Sequence, residues 1–129
     1  MIKISKRYDF DSAHQLHLDE CTVDENEDMF GKCNNLHGHT YSLIVTVSGN
    51  VDKKTGMIMN YFDLDKIVKP LVADLDHKFL NDVFPGMLTT SENMVLQIAN
   101  WIRTSLPSNV WLAEVTISET PKTTATWHP

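Results

Sequence analysis

The N-terminal stretch alternates between apolar and polar side chains, and this alternation constrains the fold more than any other feature of the chain. From residue 2 to residue 14 the odd positions are largely polar, whereas the even positions read Ile2, Ile4, Lys6, Tyr8, Phe10, Ser12 and His14. A period of two predicts a β-strand with one buried face. Because the strand ends on His14, an ionisable side chain stands at the end of that face.

A second strand and a hairpin are predicted further along the chain. LHGHTYSLIVTVSG, residues 36–49, is rich in β-branched residues and predicts a strand. The turn residues NVDKKTG then lead into MIMNY, residues 57–61, which predicts a short third strand paired with the second. Residues 17–36 form a polar, acidic connection, and loops of this length in compact domains are usually functional or disordered.

Two helices and a last strand complete the pattern. The spacing of apolar residues in DLDKIVKPLVADL, residues 63–75, predicts an amphipathic helix with a kink or a split at Pro70. TTSENMVLQIANWIRTSL, residues 89–106, predicts a helix capped by Thr89 or by a neighbouring residue. WLAEVTISE, residues 111–119, alternates again and predicts a strand.

The order of these elements predicts an α+β fold in a single domain over residues 1–129. Strands joined by a hairpin, with the helices grouped together, are typical of an antiparallel four-stranded sheet with two helices packed on one face. Such a sheet leaves its other face and its edges without a partner. We therefore predict an oligomer.

Composition and charge exclude several functional classes. The net charge of −6 argues against non-specific nucleic-acid binding, which usually requires a basic surface. No apolar run approaches the roughly 18 residues of a membrane span, and the N-terminus lacks the features of a signal peptide. We predict a soluble cytoplasmic protein, in which Cys21 and Cys33 are thiols or metal ligands rather than a disulfide framework.

Three histidines form a candidate metal site. His37 and His39 are two residues apart in a predicted strand and therefore point to the same face, roughly 7 Å apart. His14 ends the inward face of the first strand and is the third candidate ligand, with His17 as the alternative if that strand is out of register. Three neutral imidazoles without a fourth protein ligand are typical of an open catalytic zinc site. Packing of a His-x-His pair is the competing interpretation.

Cys33 precedes this pair by four residues. Its thiolate could be a fourth ligand, which would close the site and make the zinc structural, or a reactive group next to the ion. Spacing alone does not separate the two.

Two further features carry possible chemistry. Asp76 adjoins His77, and a carboxylate beside an imidazole can form an acid/base pair if the two side chains meet. Glu119 lies on the inward side of the last strand, where it either reaches solvent or accepts hydrogen bonds from a ligand.

Several segments taken together resemble one enzyme family: FDSAH, GKCNNLHGHTY, TGMIMNYFDL, LDHKFLND, TTSEN and SETP. They span the chain from Tyr8 to the C-terminus and are similar to the 6-pyruvoyltetrahydropterin synthase/QueD family. The resemblance implies the tunnelling fold (T-fold), in which sheets from three subunits close a barrel. Two trimers then stack into a homohexamer with active sites between subunits.

The resemblance also implies roles for individual residues. The zinc ligands correspond to His14, His37 and His39, and the catalytic groups correspond to Cys33, Asp76 and His77. The pterin-anchoring carboxylate corresponds to Glu119, and the segment lining the pterin pocket corresponds to Thr90, Ser91 and Glu92.

The implied activity is that of a zinc-dependent lyase acting on 7,8-dihydroneopterin triphosphate. One branch of the family releases triphosphate and keeps a pyruvoyl side chain, whereas the QueD branch also loses acetaldehyde and supplies 6-carboxytetrahydropterin for queuosine biosynthesis. FGKCNN is similar to the pyruvoyl branch, but the three-residue gap between Cys33 and His37 and the ending ETPKTTATWHP are similar to QueD. We predict the QueD reaction, with the pyruvoyl product and a non-catalytic zinc-stabilised binding module as alternatives.

Overall fold

The computed structural model describes residues 1–129 and contains five strands and four helices. In chain order these are β1 (Lys3–His14), α1 (Val23–Phe30), β2 (His37–Gly49), α2 (Tyr61–Leu75), β3 (Lys78–Phe79), α3 (Leu80–Val83), α4 (Ser91–Ser105), β4 (Val110–Thr120) and β5 (Thr123–Trp127). A short 3₁₀ helix, Gly31–Asn34, joins α1 to β2. None of the helices is long and apolar enough to cross a membrane.

The strands form one sheet in the order β3-β1-β2-β4-β5. The alternation that predicted the first strand is matched by β1, which pairs antiparallel with β2 from Lys3 opposite Ser48 to His14 opposite His37. β2 in turn pairs antiparallel with β4, and β4 with β5. Only the two-residue β3 is parallel to its neighbour.

Both long helices cover the same face of this sheet, as predicted. Inward-facing side chains of β1, β2 and β4 pack against α2 and α4 in one core, which includes Phe10, Tyr41, Leu43, Val45, Ile117, Leu64, Val68, Met94, Ile98 and Ile102. The α+β class is therefore confirmed. α2 continues through Pro70 as one helix, so the predicted split does not occur.

The predicted strand at residues 57–61 is wrong. Asn60 instead caps α2, since its side chain accepts a hydrogen bond from the amide of Phe62, and Tyr61 is already helical. Ile58 is buried next to Gly49 as part of an irregular segment. The sheet has five strands rather than four because β3 and β5, which were not predicted, border it.

The acidic connection contains α1, which the sequence interpretation missed. Thr22 and Glu25 form a capping box: the Thr22 hydroxyl accepts from the Glu25 amide, and the Glu25 carboxylate accepts from the Thr22 amide. Such reciprocal bonds satisfy donors that the first turn leaves free. Asn26, buried in the same helix, exchanges hydrogen bonds with the backbone of Leu18 and ties the helix to the preceding segment.

A carboxylate of α2 forms a contact whose contribution to stability depends on pH. The buried Asp65 accepts hydrogen bonds from the Tyr8 hydroxyl at 2.7 Å and the Lys6 ammonium at 2.8 Å. These two bonds hold the pKa of Asp65 below its usual range. The contact therefore stabilises the fold above the unfolded-state pKa of about 3.9 and is lost as pH falls through the lower, folded-state pKa.

We expect Asp65→Asn to lower the urea denaturation midpoint clearly at pH 7, because the amide cannot pair with the Lys6 ammonium. The difference from wild type should shrink as both are titrated below about pH 4. Asp63→Asn is the control, since its exposed pair with Lys66 contributes little. A midpoint difference for Asp65→Asn that is unchanged at pH 3 would mean that packing, rather than the ion pair, explains the loss.

Candidate active site

The ends of β1 and β2 bring the three predicted zinc ligands together. His14 lies directly opposite His37 in the strand pair, and His39 lies opposite Ser12, so all three imidazoles project from the same face. Their nitrogens available to an ion lie within 4.8 Å of one another. His17 is not part of this group; it lies at the surface and contacts Asp19.

Backbone carbonyls orient two of the rings. Nδ1 of His14 lies 2.9 Å from the carbonyl oxygen of Thr89, and Nδ1 of His37 lies 2.6 Å from that of Asn35. A carbonyl oxygen only accepts, so each Nδ1 carries the proton and each Nε2 keeps its lone pair. This outer-shell arrangement is typical of histidines that bind a metal through Nε2.

The buried nitrogens at the centre of the cluster have no hydrogen-bond partner within the chain. Nε2 of His14 and Nε2 of His39 are both buried and unpaired, although buried polar groups are normally satisfied. Burial is the main cause that lowers the pKa of His14 and of His39, which favours the neutral form that binds metals. Three such imidazoles fit a zinc ion with an open coordination position.

A cavity of about 290 Å³ opens beside this cluster. Its lining combines His14 with the predicted catalytic thiol, Cys33, and all four predicted pterin-binding residues, Thr90, Ser91, Glu92 and Glu119. Thr90 is the N-cap of α4, because its hydroxyl accepts from the Asn93 amide. The structure therefore assembles these predicted residues around one space.

The loop that carries Cys33 is attached to the end of β1. The Leu16 amide donates to the Cys33 carbonyl at 2.9 Å, and the Gln15 side chain donates to the Asn34 carbonyl at 2.9 Å. Gln15 is held in turn by Asn81, which exchanges hydrogen bonds with its backbone amide and carbonyl. The Cys33 side chain is exposed, so its thiol is accessible from the cavity.

Glu119 extends from β4 toward the histidines. One carboxylate oxygen lies 3.8 Å from Nε2 of His39, and the side chain remains partly exposed to the cavity. The predicted inward orientation of Glu119 thus places its carboxylate beside the cluster rather than in bulk solvent.

Asp76 and His77 contact each other but lie outside the cavity that Cys33 lines. Asp76 Oδ1 lies 3.0 Å from His77 Nδ1 and also accepts from the Asp11 amide, and these contacts lower the pKa of Asp76. His77 adopts a left-handed backbone with φ of 54° while its amide donates to the Asp11 carbonyl. The imidazole lines an open surface with Thr40 and not the Cys33 cavity.

Two residues that orient the cluster were not predicted. Thr89 and Asn35 act on His14 and His37 through their backbone carbonyls, and Thr89 also places its hydroxyl 3.1 Å from His14 Nδ1. Contacts made by main-chain atoms depend on loop conformation and have no specific side-chain signature. Only Thr89, next to the α4 cap, has a side chain that could have suggested such a contact from the sequence, because its hydroxyl can form hydrogen bonds.

Comparison with known proteins identifies the family. A family model described as 6-pyruvoyl tetrahydropterin synthase matches residues 3–129. A 6-pyruvoyl tetrahydrobiopterin synthase from Drosophila melanogaster is 38% identical over 125 residues, covering 92% of this chain and 74% of the relative. A 6-carboxy-5,6,7,8-tetrahydropterin synthase from Haemophilus influenzae is 44% identical over 86 residues, covering 64% of this chain and 54% of the relative.

The solved structure of Caenorhabditis elegans 6-pyruvoyl tetrahydropterin synthase superposes with a TM-score of 0.90 at 33% identity, covering 99% of this chain and 95% of that one. The similarity therefore extends over nearly the whole fold. The chain belongs to the 6-pyruvoyl tetrahydropterin synthase family, which also includes the QueD enzymes.

Proposed function

We propose that the protein is a zinc-dependent lyase that converts 7,8-dihydroneopterin triphosphate to 6-carboxy-5,6,7,8-tetrahydropterin, with loss of triphosphate and acetaldehyde. The observation that carries this proposal is the cavity lined by Cys33, by Glu119 and by His14 of the histidine cluster. A thiol, a carboxylate and a metal-binding group around one space are the groups that a pterin side-chain lyase requires.

In this proposal His14, His37 and His39 hold the metal through Nε2. When bound, zinc acidifies hydroxyl groups and stabilises negative charge on oxygen. Thr89 and Asn35 keep the two rings in the tautomer that leaves Nε2 free. Burial lowers the pKa of His14 and of His39, which favours the neutral rings that bind metals.

Cys33 and Glu119 have separate roles toward the substrate. The Glu119 carboxylate accepts two hydrogen bonds from the guanidine-like edge of the pterin and so sets its orientation. Thr90, Ser91 and Glu92, at the start of α4, line the same space beside the ring. Cys33, as a thiolate, moves protons on the three-carbon side chain of the substrate.

The Asp76–His77 pair supplies the complementary acid/base group from a neighbouring chain. Within one chain His77 lines an open surface that includes His39 but not Cys33, so we propose that a second subunit brings the pair to the thiol. Sheet edges and an uncovered sheet face are available for such assembly. We propose the homohexamer, a dimer of trimers, that the family resemblance implies.

The choice of product rests on the sequence around the cavity. The three-residue gap between Cys33 and His37 consists of Asn34, which ends the 3₁₀ helix, the extended Asn35, and Leu36. A gap of this length is similar to QueD. The H. influenzae relative, named for the carboxy product, supports the same choice over the part that it matches. In this reaction water cleaves a side-chain carbon–carbon bond, which leaves the carboxylate on the ring and releases acetaldehyde.

The test is to incubate zinc-loaded protein with 7,8-dihydroneopterin triphosphate and to quantify triphosphate, acetaldehyde and pterins by mass spectrometry. We expect equimolar triphosphate, acetaldehyde and 6-carboxytetrahydropterin. A pyruvoyl pterin without acetaldehyde would replace the proposal with the 6-pyruvoyl activity. Absence of any turnover, with zinc bound, would leave the non-catalytic binding module.

Cys33→Ala is expected to lower kcat by at least about 100-fold, the usual range for loss of a general acid/base group. Zinc content and melting temperature should stay unchanged, because the three histidines suffice as ligands. Cys21→Ala is the matched control: this other thiol does not line the cavity and should be dispensable. Loss of zinc from Cys33→Ala would instead identify Cys33 as a fourth ligand.

A further inference from the structure

The hydroxyl of Tyr41 is buried but forms no hydrogen bond within the chain. The side chain is fully buried on β2, yet its hydroxyl has no hydrogen-bond partner within the chain. Its ring stacks on Phe10 with centroids 4.9 Å apart, so a phenyl group would fit the same packing. Buried hydroxyls are normally paired, so an unpaired one calls for an explanation.

The position of Tyr41 connects it to the substrate-facing carboxylate. The pairing of β2 with β4 runs through Leu43 opposite Ile117 and Ser42 opposite Ser118. Tyr41 and Glu119 are the next residues of the two strands, on the face that carries the histidines. The Tyr41 ring also lies edge-on to His39, with centroids 5.5 Å apart.

A phenol is protonated near neutral pH, so the Tyr41 hydroxyl can serve as a hydrogen-bond donor to an anionic acceptor.

We propose that the Tyr41 hydroxyl is a positioning group for Glu119, directly or through one ordered water, when a pterin occupies the cavity. This inference rests on the proposed function, because it assigns Glu119 to the pterin. It adds a residue that touches neither the pterin nor the ion and that acts only by fixing the carboxylate.

The lone pairs of a carboxylate explain why such a donor is useful. An ionised carboxylate has about four acceptor positions, and a bidentate contact with the pterin uses one on each oxygen. Glu119 is directed toward Nε2 of His39, the nitrogen that would bind the metal. With that nitrogen bound to metal, a donor at Tyr41 would restrain the carboxylate for the pterin.

The test compares Tyr41→Phe with wild type, both zinc-loaded, using neopterin as an unreactive fluorescent probe and 7,8-dihydroneopterin triphosphate for kinetics. We expect the Kd for neopterin and the KM to rise on the order of 10-fold, as for a lost charge-assisted hydrogen bond. kcat and zinc content should change little. The melting temperature should stay level or rise, because a buried unpaired hydroxyl is removed.

Two further variants make the result specific. Tyr41→Phe in a Glu119→Gln background should weaken neopterin binding no further, because the hydroxyl acts through the carboxylate. Tyr8→Phe is the matched control: it removes a hydroxyl bonded to Asp65, six residues along β1 from His14. It should lower the melting temperature and leave neopterin binding unchanged.

The outcomes separate the two proposals. If Tyr41→Phe binds neopterin like wild type while Glu119→Gln loses it, the role of Tyr41 is overturned and the proposed function stands. Additive losses in the double variant would also overturn the positioning role. If wild type binds no pterin at all, the proposed function fails and the inference fails with it.

Discussion

The variant His37→Ala is expected to lose at least about 100-fold in zinc affinity, and turnover of the pterin substrate should fall below roughly 1% of wild type. Loss of a residue that binds the ion directly should weaken zinc binding by no less than the 10–100-fold typical of losing a hydrogen-bond partner of a ligand. His37 is the best of the three ligands to test, since it is only partly buried whereas His14 is 1% exposed and packed into the core. Its removal should spare the sheet.

Zinc per chain is measured by mass spectrometry after dialysis against a competing chelator, and circular dichroism checks the fold. His17→Ala is the control, because His17 lies at the surface beside Asp19 and outside the cluster. It should keep full zinc content and turnover. Retention of zinc by His37→Ala, together with its loss from Cys33→Ala, would reverse the assignment and favour a structural site.

The parts of the fold that the sequence predicted well are those in which one local pattern sets both conformation and burial. Alternation over residues 2–14 and the β-branched composition of residues 36–49 correspond closely to β1 and β2. The apolar spacing in residues 89–106 corresponds to α4. In each case the buried face repeats with the period of the element, so packing and local propensity agree.

Predictions failed where short segments carry competing signals. The apolar letters at residues 57–61 suggest a strand, but Asn60 next to the apolar spacing of α2 is a helix cap, and the cap determines the conformation. The acidity of residues 19–28 masked the Thr22–Glu25 capping box that starts α1. β5, five residues long, carries too short an alternation to be recognised before its partner β4 is placed.

The sequence predicted which side chains form the site, but not the backbone contacts that orient them. Strand parity placed His37 and His39 together and put His14 and Glu119 on inward faces, and the family resemblance assigned roles to Cys33 and Glu119. The structure brings all five to one region. The left-handed backbone at His77 and its separation from the cavity depend on contacts with Asp11, 66 residues earlier by numbering, which no local pattern encodes.

Mixed oligomers of two inactive variants, Cys33→Ala and His77→Asn, are expected to recover turnover. Cys33 and His77 open on different surfaces of one chain, so a composite site takes Cys33 from one subunit and His77 from its neighbour. With equal amounts and random assembly, half of the subunits at each position are intact, and half times half gives about a quarter of the sites. Asparagine is chosen because it tolerates the left-handed φ of 54° at residue 77.

The two variants are co-expressed with different tags, and oligomers carrying both tags are isolated before turnover is measured. Mixing Cys33→Ala with His37→Ala is the decisive control, since the thiol and the histidine cluster adjoin the same cavity in one chain. Each cavity in that mixture lacks one of the two groups, so no turnover should return. Recovery in both mixtures, or in neither, would contradict a site shared between subunits in this way. Recovery in the first mixture alone would place Cys33 and the metal ligands in one subunit and the Asp76–His77 pair in the next.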